Sequence, residues 1–444
     1  MPTKIMKSVN LVVGLLVILA MLAACAAPAA APAAQQPAAA PAAEKPAAAP
    51  AQGEEVTLTI QHWSPNMVET TAWWDEILRG FEAKHPGVKI VNNFIPFAQY
   101  LPTLTSQSAG DQLPDVFFGH VKAAELGRGG KSIDYKTVFD EAFFKGFYAG
   151  PMNQFTYPNA EGGTNIYALP WSAQLFGIFV NPKIMKELGL EPPETWDQLI
   201  EMAPKIREAG YTPLVWGNQA RNVCPDFFLP LVTQNGGDVL KMDDSGKGWD
   251  GDQVVKAFEL LDKLARAGTF VDGINAVNEE TGWNIAFQGK AAMLYTGSWV
   301  PDTIDKTAPP EYASSYYVAK NPALAADQPH WTGDGSGEGW VVKKGPNQDM
   351  AIELVKYLFS DEVYQKFIKG SQTMPSRPAA LDQVENEKVK LMTSWLPDGS
   401  DHILFGQGSW DAVSNACQAV LDGSLAPADA AKQVQKDVDA TRSR

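Results

Sequence analysis

An alternation of strand and helix patterns constrains the fold of this chain more than any other feature. Residues 56–60 (VTLTI) form a short β-branched strand pattern. A helical pattern follows, with Trp74, Ile77 and Phe81 on one face, and residues 88–91 form a second strand pattern. Strand, helix and strand in close succession predict a βαβ unit, and therefore a parallel sheet.

The same alternation continues along the chain. Residues 175–180 form a buried strand pattern, and Thr195 with Gln198 forms a capping box at the start of a helix. Further strand patterns occupy residues 116–118 and 291–295, and apolar helix faces occupy residues 254–264, 354–358 and 363–367. These elements are too many for one small sheet. The sequence therefore predicts an α/β fold with more than one sheet.

The N-terminal residues have the pattern of an export signal. Lys4 and Lys7 precede an apolar stretch at residues 11–21, which is too short to span a bilayer comfortably. The stretch runs into LAAC, whose cysteine is Cys25, and this looks like a bacterial lipobox. We therefore expect a signal peptide at residues 1–24 and lipid attachment at Cys25, which would hold the chain extracytoplasmically on the cell membrane. The alternative is an ordinary secretory signal with a chance cysteine.

A linker is predicted between this anchor and the folded part of the chain. Residues 25–54 consist almost entirely of alanine and proline after the cysteine. Repeated prolines prevent a continuous alanine helix, so we expect an extended spacer of at most about 80 Å, at ~3.1 Å per residue. Residues 55–444 remain, which is enough for two lobes with separate cores.

Charge and cysteine content narrow the class of protein. The formal net charge of −15 becomes −17 when the two lysines of the signal are removed. An acidic chain is a poor partner for nucleic acid and, more weakly, for anionic ligands. With Cys25 acylated, Cys224 and Cys417 are left. Outside the cytoplasm they could form a disulfide, or they could be two buried thiols that never meet.

The tryptophans suggest a kind of ligand. Many of the 13 lie beside Gly, Ser or Asn in loop patterns instead of in apolar runs. Sugars have apolar C–H faces and a rim of hydroxyl groups, so aromatic rings stack on the faces while polar side chains bind the hydroxyls. This placement indicates aromatic surfaces that face a flat, polar ligand.

A set of short motifs resembles one family. They are HW at 62–63, AGDQLPDV at 109–116, YALP at 167–170, NPK at 181–183, LGLEPPETW at 188–196, FQGKAAM at 287–293, GSW at 297–299 and MPSRP at 374–378. Each motif is weak alone, but their order and spacing over residues 55–444 are similar to the sugar-binding, maltose-binding-protein-like group of extracellular solute-binding proteins of ABC importers.

The resemblance implies a periplasmic-binding-protein fold. Two α/β lobes, joined by several hinge crossings, would close on a ligand in the cleft between them. The N-terminal lobe would comprise residues 55–170 plus 333–373, and the C-terminal lobe residues 174–330 plus 375–444. We expect the crossings near residues 170–174, 328–333 and 372–375, where strand patterns break at Pro or Gly.

Ten residues are candidates for ligand contacts. They are Trp63, His120, Trp171, Gln174, Trp216, Asn218, Trp299, Trp340, Arg377 and Trp410. Trp63 follows the first strand, although a core position is the alternative, and Trp171 and Gln174 lie on the first expected crossing. Trp299 and Trp410 resemble stacking positions of the family. Arg377 could bind two hydroxyls with its forked guanidinium, or form an inter-lobe salt bridge.

Two other kinds of site are not supported by the motifs. The glycine-rich run at 333–339 lacks the G-x-G-x-x-G spacing, so we reject a nucleotide loop and expect no cofactor. Asp243, Asp244, Asp250 and Asp252 miss the calcium-loop spacing, so a solvated hairpin is expected there and no metal. The five histidines are dispersed and no nucleophile elbow is present, which argues against an enzyme.

The leading hypothesis is a lipid-anchored receptor for a mono- or oligosaccharide. It would act as a monomer and dock on ABC permease transmembrane subunits. A second hypothesis is a binding protein for another polar metabolite, such as glycerol phosphate, a polyamine or an amino-acid derivative. A phosphate would need basic groups at the cleft, for which only Arg377, Arg221 and Lys122 are candidates. Two weaker hypotheses are a surface carbohydrate-active enzyme and a sensor that reports to a membrane kinase.

Overall fold

The computed structural model describes residues 55–68, 70–219, 224–330, 332–401 and 406–442. The predicted signal peptide, Cys25 and the whole predicted linker lie outside the described residues, as does Arg221. Within the part of the chain that is described, none of the helices has the length and apolar character needed to cross a membrane.

The described elements are thirteen strands and eighteen α-helices. The strands are β1 (Val56–His62), β2 (Val88–Phe94), β3 (Val116–Phe118), β4 (Thr156–Pro158), β5 (Thr164–Ile166), β6 (Leu169–Pro170), β7 (Gln174–Val180), β8 (Thr212–Val215), β9 (Ala291–Gly297), β10 (Tyr317–Ala319), β11 (Thr332–Gly335), β12 (Gly339–Val342) and β13 (Gly399–Asp401). The helices are α1 (Ala72–Lys84), α2 (Phe97–Ala109), α3 (Ala123–Arg128), α4 (Glu141–Phe144), α5 (Ala149–Asn153), α6 (Pro182–Leu188), α7 (Trp196–Glu208), α8 (Cys224–Gln234), α9 (Val239–Ser245), α10 (Asp252–Arg266), α11 (Glu279–Phe287), α12 (Val300–Thr307), α13 (Pro310–Ala313), α14 (Gln348–Leu358), α15 (Asp361–Ser371), α16 (Glu387–Thr393), α17 (Gln407–Leu421) and α18 (Pro427–Arg442).

The first lobe is built on a five-stranded sheet of order β2-β1-β3-β12-β6. β1 pairs in parallel with β2, from Val56 opposite Val88 onward, and with β3. Only β12 runs antiparallel to its neighbours, with Trp340 opposite Phe118. The predicted βαβ unit is confirmed, with α1 as the crossover helix. Its residues Trp74 and Phe81 are fully buried, because the apolar face of α1 is the face that covers the sheet.

The second lobe is built on a six-stranded sheet of order β13-β11-β7-β9-β8, with β10 on the other side of β7. β7 runs antiparallel to β9, whereas β8 is parallel to it. The predicted capping box of α7 is confirmed: Thr195 Oγ1 accepts from the Gln198 amide at 3.3 Å, and Gln198 Oε1 accepts from the Thr195 amide at 3.2 Å. Two sheets, each covered by helices, confirm the α/β, two-lobed fold class.

Three segments connect the lobes. The first runs from β6 to β7 through residues 171–173, and the third follows α15, where the Ala173 amide donates to the Met374 carbonyl at 2.8 Å. The second lies at residues 336–338, later than the expected 328–333. The reason is that β11 pairs with β7, so the chain is still in the second sheet up to Gly335.

The expectation of a hairpin at residues 243–252 is wrong. Residues 243–245 end α9, whose N-terminus Asp238 caps by accepting from the Lys241 amide at 3.0 Å, and Asp252 begins α10. The helix ends at Gly246, whose φ of +67° is the left-handed conformation that glycine adopts without strain. The aspartates had suggested a hairpin, but residues 246–251 instead form a turn between two helices.

Candidate functional site

The ends of the strands place one edge of each sheet next to the connections. In the first sheet, β1 and β3 end where β12 begins, because Trp340 of β12 pairs with Phe118 of β3. In the second sheet, β8 and β9 end where β7 begins, because Phe176 pairs with Gly297. Ligands of α/β proteins bind at the carboxyl ends of parallel strands. These two edges, joined by the connections, are therefore the candidate site.

Aromatic rings from both lobes meet at this site. Trp63 follows β1, and its half-buried indole lies 5.4 Å from Phe97 and 5.4 Å from His120, between ring centroids. His120 follows β3 in a left-handed conformation, with φ of +45°. Trp410 of α17, in the second lobe, approaches His120 with a centroid distance of 6.5 Å. We call Trp63, Phe97, His120 and Trp410 the inter-lobe aromatic cluster.

The second lobe contributes a tryptophan held by a carboxylate. Trp299 follows β9 and is half-buried, with its ring edge-on to Phe176 at 5.2 Å and 87°. Its Nε1 donates to Glu279 Oε1 at 3.2 Å. Glu279 opens α11, which lies so close to the end of β8 that a Cβ on Gly217 would be 2.4 Å from the Glu279 Cα. Gly217 therefore permits the approach that brings Glu279 to Trp299.

Burial and neighbouring charge alter the acidity of Glu279. Loss of solvation is the main cause that raises its pKa, to about 7, and the nearby negative charges of Asp226 and Glu280 act in the same direction. The hydrogen bond from Trp299 opposes them in part. Sequence reasoning missed Glu279, because only the packing of α11 against β8 brings it to Trp299. The available signal was the helix start at Asn278, whose side chain accepts from the Thr281 amide.

The connections themselves are fixed by polar groups. Gln174 Oε1 accepts from the Gly337 amide at 2.9 Å, which ties the start of β7 to the second connection. Ser172 Oγ donates to Glu338 Oε2 at 2.7 Å, and the Trp171 amide donates to the Glu338 carbonyl. Burial raises the pKa of Glu338 to about 7, and the hydrogen bond from Ser172 lowers it in part. Gln174 thus lies at the site, where it binds the backbone.

Three of the candidate tryptophans lie in the core, which corrects the expectation that they face the cleft. Trp171, Trp216 and Trp340 are all 0% exposed. Their faces are covered by Phe367 at 4.1 Å, Phe227 at 4.4 Å and Phe118 at 4.2 Å, respectively. A ring whose face already packs on another ring offers no surface for a sugar in this conformation.

Asn218 and Arg377 are also occupied by the protein. Asn218 is fully buried, and its Nδ2 donates to Asn275 Oδ1 at 2.6 Å. The Arg377 guanidinium lies 5.6–5.8 Å from three ring centroids and donates to the Phe359 carbonyl at 2.7 Å. Its ionic partner Asp361 is at 3.4 Å on α15, which packs on α1 in the first lobe. The guanidinium fork of Arg377 is thus used within the protein, and its ion pair links the third connection to the first lobe.

The described residues contain no group of three or more side chains that could hold a metal ion. The candidate site as described above is built from aromatic rings, backbone groups and uncharged or acidic side chains. Of the ten candidates, the structure brings Trp63, His120, Gln174 and Trp299 to the two strand edges and their connections. Trp410 contacts His120 from α17, and both of these side chains are buried.

Comparisons with known proteins agree with this architecture. The family model for bacterial extracellular solute-binding proteins matches residues 64–365. The multiple sugar-binding protein of Streptococcus mutans is 22% identical over 362 residues, which cover 76% of this chain and 78% of that protein. The diacetylchitobiose binding protein NgcE of Streptomyces coelicolor is 22% identical over 290 residues, covering 62% of this chain and 60% of that protein.

Solved structures share the fold at low identity. The GacH receptor of Streptomyces glaucescens superposes with a TM-score of 0.70 at 24% identity, covering 88% of this chain and 98% of the receptor. The maltose/maltodextrin-binding domain MalE of Bdellovibrio bacteriovorus gives 0.68 at 20% identity, with 88% and 100% covered. The family match extends over more than half of the chain, so this protein belongs to the bacterial extracellular solute-binding protein family.

Proposed function

We propose that this chain is the lipid-anchored substrate-binding component of an ABC importer. It captures a mono- or oligosaccharide between its lobes by hinge closure and delivers it to the permease. The observation that carries the proposal is the placement of two half-buried tryptophans, Trp63 and Trp299, at the ligand-binding edges of different sheets. The relatives named for multiple sugars and for diacetylchitobiose support the same ligand class.

The chemistry of the site suits a sugar. A half-buried indole presents one apolar face for the C–H face of a pyranose ring. Glu279 uses Oε1 for Trp299, which leaves Oε2 as an acceptor for a hydroxyl donor. The amide nitrogen of Gln174 is a donor at the same edge, because its oxygen is the atom that binds Gly337.

The charged side chains near the candidate site make a phosphorylated ligand a weaker candidate than a neutral sugar. Arg377 is enclosed by aromatic rings, and Lys122 Nζ pairs with Glu125 Oε2 at 2.9 Å. The carboxyl groups of Glu279 and Asp226 at the second lobe would repel a phosphate. These same carboxyl groups favour a polyamine as the second candidate, since they would attract its ammonium groups.

The first test is a ligand panel. The purified chain is titrated with neutral mono- and oligosaccharides, sugar phosphates and polyamines, while tryptophan fluorescence and calorimetric heat are recorded. We expect a saturable response to at least one neutral sugar. A response to polyamines alone, with no sugar active, would overturn the carbohydrate assignment.

Site variants then locate the response. Trp299→Ala should weaken sugar binding about tenfold or more, since loss of a stacking ring costs on the order of 1.5 kcal/mol. The matched control is Tyr211→Ala, which removes an aromatic ring directly before β8, at the opposite edge of the same sheet. Equal loss of affinity in both variants would mean that the second lobe is destabilised and that Trp299 has no particular role.

Transport and binding must also be separated. We propose that the chain acts as a monomer without chemical turnover, and that uptake of the sugar depends on a permease. Accumulation of labelled sugar in cells with and without the chain tests the transport role. Binding without any change in uptake would favour a sensor, and cleavage of an oligosaccharide by the purified chain would favour an enzyme.

A further inference from the structure

Two cysteines lie at the contact between two helices of the second lobe. Cys224 is the first residue of α8, Cys417 lies in α17, and both side chains are 0% exposed. The two helices pack against each other. Both cysteines are free in this structure, and their side chains lie within interaction distance of each other, although 193 positions separate them in sequence (417 − 224). Proximity of the two side chains is one geometric requirement for a disulfide.

Hydrogen bonds next to Cys417 hold α17 in place at its contact with α8. Gln418, the residue after Cys417, donates from Nε2 to the Asn218 carbonyl at 3.0 Å. The Gln418 carbonyl accepts from Asn275 Nδ2 at 2.9 Å. This turn of α17 is therefore bound to the segment that precedes α8, and not only to α8 itself. The two cysteines are brought together by a network of backbone and side-chain bonds.

We propose that Cys224 and Cys417 form a disulfide when the chain folds outside the cytoplasm, which ties α8 to α17. One cysteine thiolate attacks the disulfide of an extracytoplasmic thiol–disulfide oxidoreductase and releases one of its cysteines. The second cysteine then attacks the mixed disulfide, and the oxidoreductase leaves as a dithiol. Two protons and two electrons pass from the cysteine pair to the oxidant.

The bond must form before the second lobe is complete. Both thiols are buried in the folded chain, and burial together with the neighbouring Cys224 sulfur raises the pKa of the Cys417 thiol well above its usual range. A protonated, inaccessible thiol does not exchange. The reaction therefore belongs to folding, and the finished bond is shielded from reductants in the native state.

The bond also has a consequence for the candidate site. Trp410, the member of the inter-lobe aromatic cluster that contacts His120, lies on the same helix about two turns before Cys417. A crosslink between α8 and α17 fixes this helix on the second lobe. The position of Trp410 is then maintained by a covalent bond as well as by packing.

The test uses the full chain, exported by its host and purified without reductant. It is unfolded in guanidinium chloride, treated with an alkylating reagent and digested, and Cys224 and Cys417 are followed by peptide mass spectrometry, which keeps them apart from Cys25. We expect a disulfide-linked peptide pair and no alkylation unless a reductant is added first. In the native state, the pair should resist the same reductant. Alkylation of both cysteines in the unreduced, unfolded chain would overturn the proposal.

A stability measurement gives an independent readout. Reduction in denaturant followed by refolding should lower the melting temperature by about 5 °C, since closure of a long loop stabilises by several kcal/mol. The control is the double variant Cys224→Ser/Cys417→Ser, whose melting curve should not respond to reductant. Superimposable curves for the oxidised and reduced wild-type chain would contradict a crosslink between α8 and α17.

Discussion

The burial of Glu338 in the second connection can be tested quantitatively through the pH dependence of folding stability. Its carboxyl group is buried and has a pKa of about 7 in the folded chain, against an ordinary value of 4.5. Because the folded-state pKa is the higher one, the folded chain binds more protons than the unfolded chain between these two values. Stability therefore falls as the pH rises from 4.5 to 7, and the loss is complete above pH 7.

The size of the effect follows from the two pKa values. The difference between the two pKa values corresponds to a loss of about 3 kcal/mol in the free energy of unfolding at high pH. At pH 5, less than about 1 kcal/mol of this stability has been lost. Glu338→Gln removes the titration but keeps an oxygen that can accept from Ser172. We therefore subtract the free energy of unfolding of wild type from that of the variant at each pH. This difference should be about 2.5 kcal/mol larger at pH 8 than at pH 5.

The assay is urea unfolding at both pH values, followed by fluorescence and circular dichroism. Coincident transitions are required, because two lobes could unfold separately. The control is Glu161→Gln, which changes an exposed glutamate in the turn between β4 and β5 and should have equal effects at both pH values. If Glu338→Gln also shifts stability equally at pH 5 and pH 8, the buried-carboxyl argument is refuted.

Three further predictions concern the site, the lobes and the anchor. Glu279→Gln should keep sugar affinity within about threefold because its amide oxygen can still accept from Trp299, whereas Glu279→Ala should weaken affinity about tenfold in calorimetry. Equal losses of sugar affinity in the two Glu279 variants would mean that Glu279 does not act by positioning the Trp299 indole. Arg128→Ala removes the 2.8 Å ion pair with Asp244 between the lobes and should weaken affinity by up to about fivefold, with no further loss when Asp244→Ala is added. Cys25→Ala should release the chain from the membrane fraction and reduce uptake while leaving the affinity unchanged, and altered affinity would indicate that the anchor does more than hold the chain.

The sequence predicted the elements whose signal is local. The apolar face of α1, the capping box at Thr195 and the strand β9 were all placed correctly, because helix periodicity, a cap and a short apolar run each depend on neighbours in the sequence. The family resemblance supplied the two-lobed fold. The second connection was misplaced because the pairing of β11 with β7 is a long-range contact that no local pattern records.

The site could be predicted only in part. Trp63 and Trp171 both lie beside a serine at the end of a strand, and in sequence they look alike. Trp171 is covered by Phe367, which approaches from a helix nearly two hundred residues away, whereas Trp63 has only edge-on aromatic neighbours and stays half-buried. Exposure of an aromatic ring is decided by such distant partners. For the same reason Glu279 was missed.

The distribution of bonds between the lobes fits the hinge closure that we propose. The connections are joined to one another by backbone bonds: Ala173 to Met374, and Trp171 to Glu338. Ser376 Oγ adds a bond to the Pro170 carbonyl. Away from the connections, the described contacts between lobes include the half-exposed pair of Arg128 with Asp244 and the edge contact of His120 with Trp410. A surface ion pair contributes only about 0.2–1 kcal/mol. Firm bonds at the connections and weak contacts such as these two would suit the proposed receptor, because a bound sugar with a few kcal/mol of preference for a closed form would then determine which form is populated.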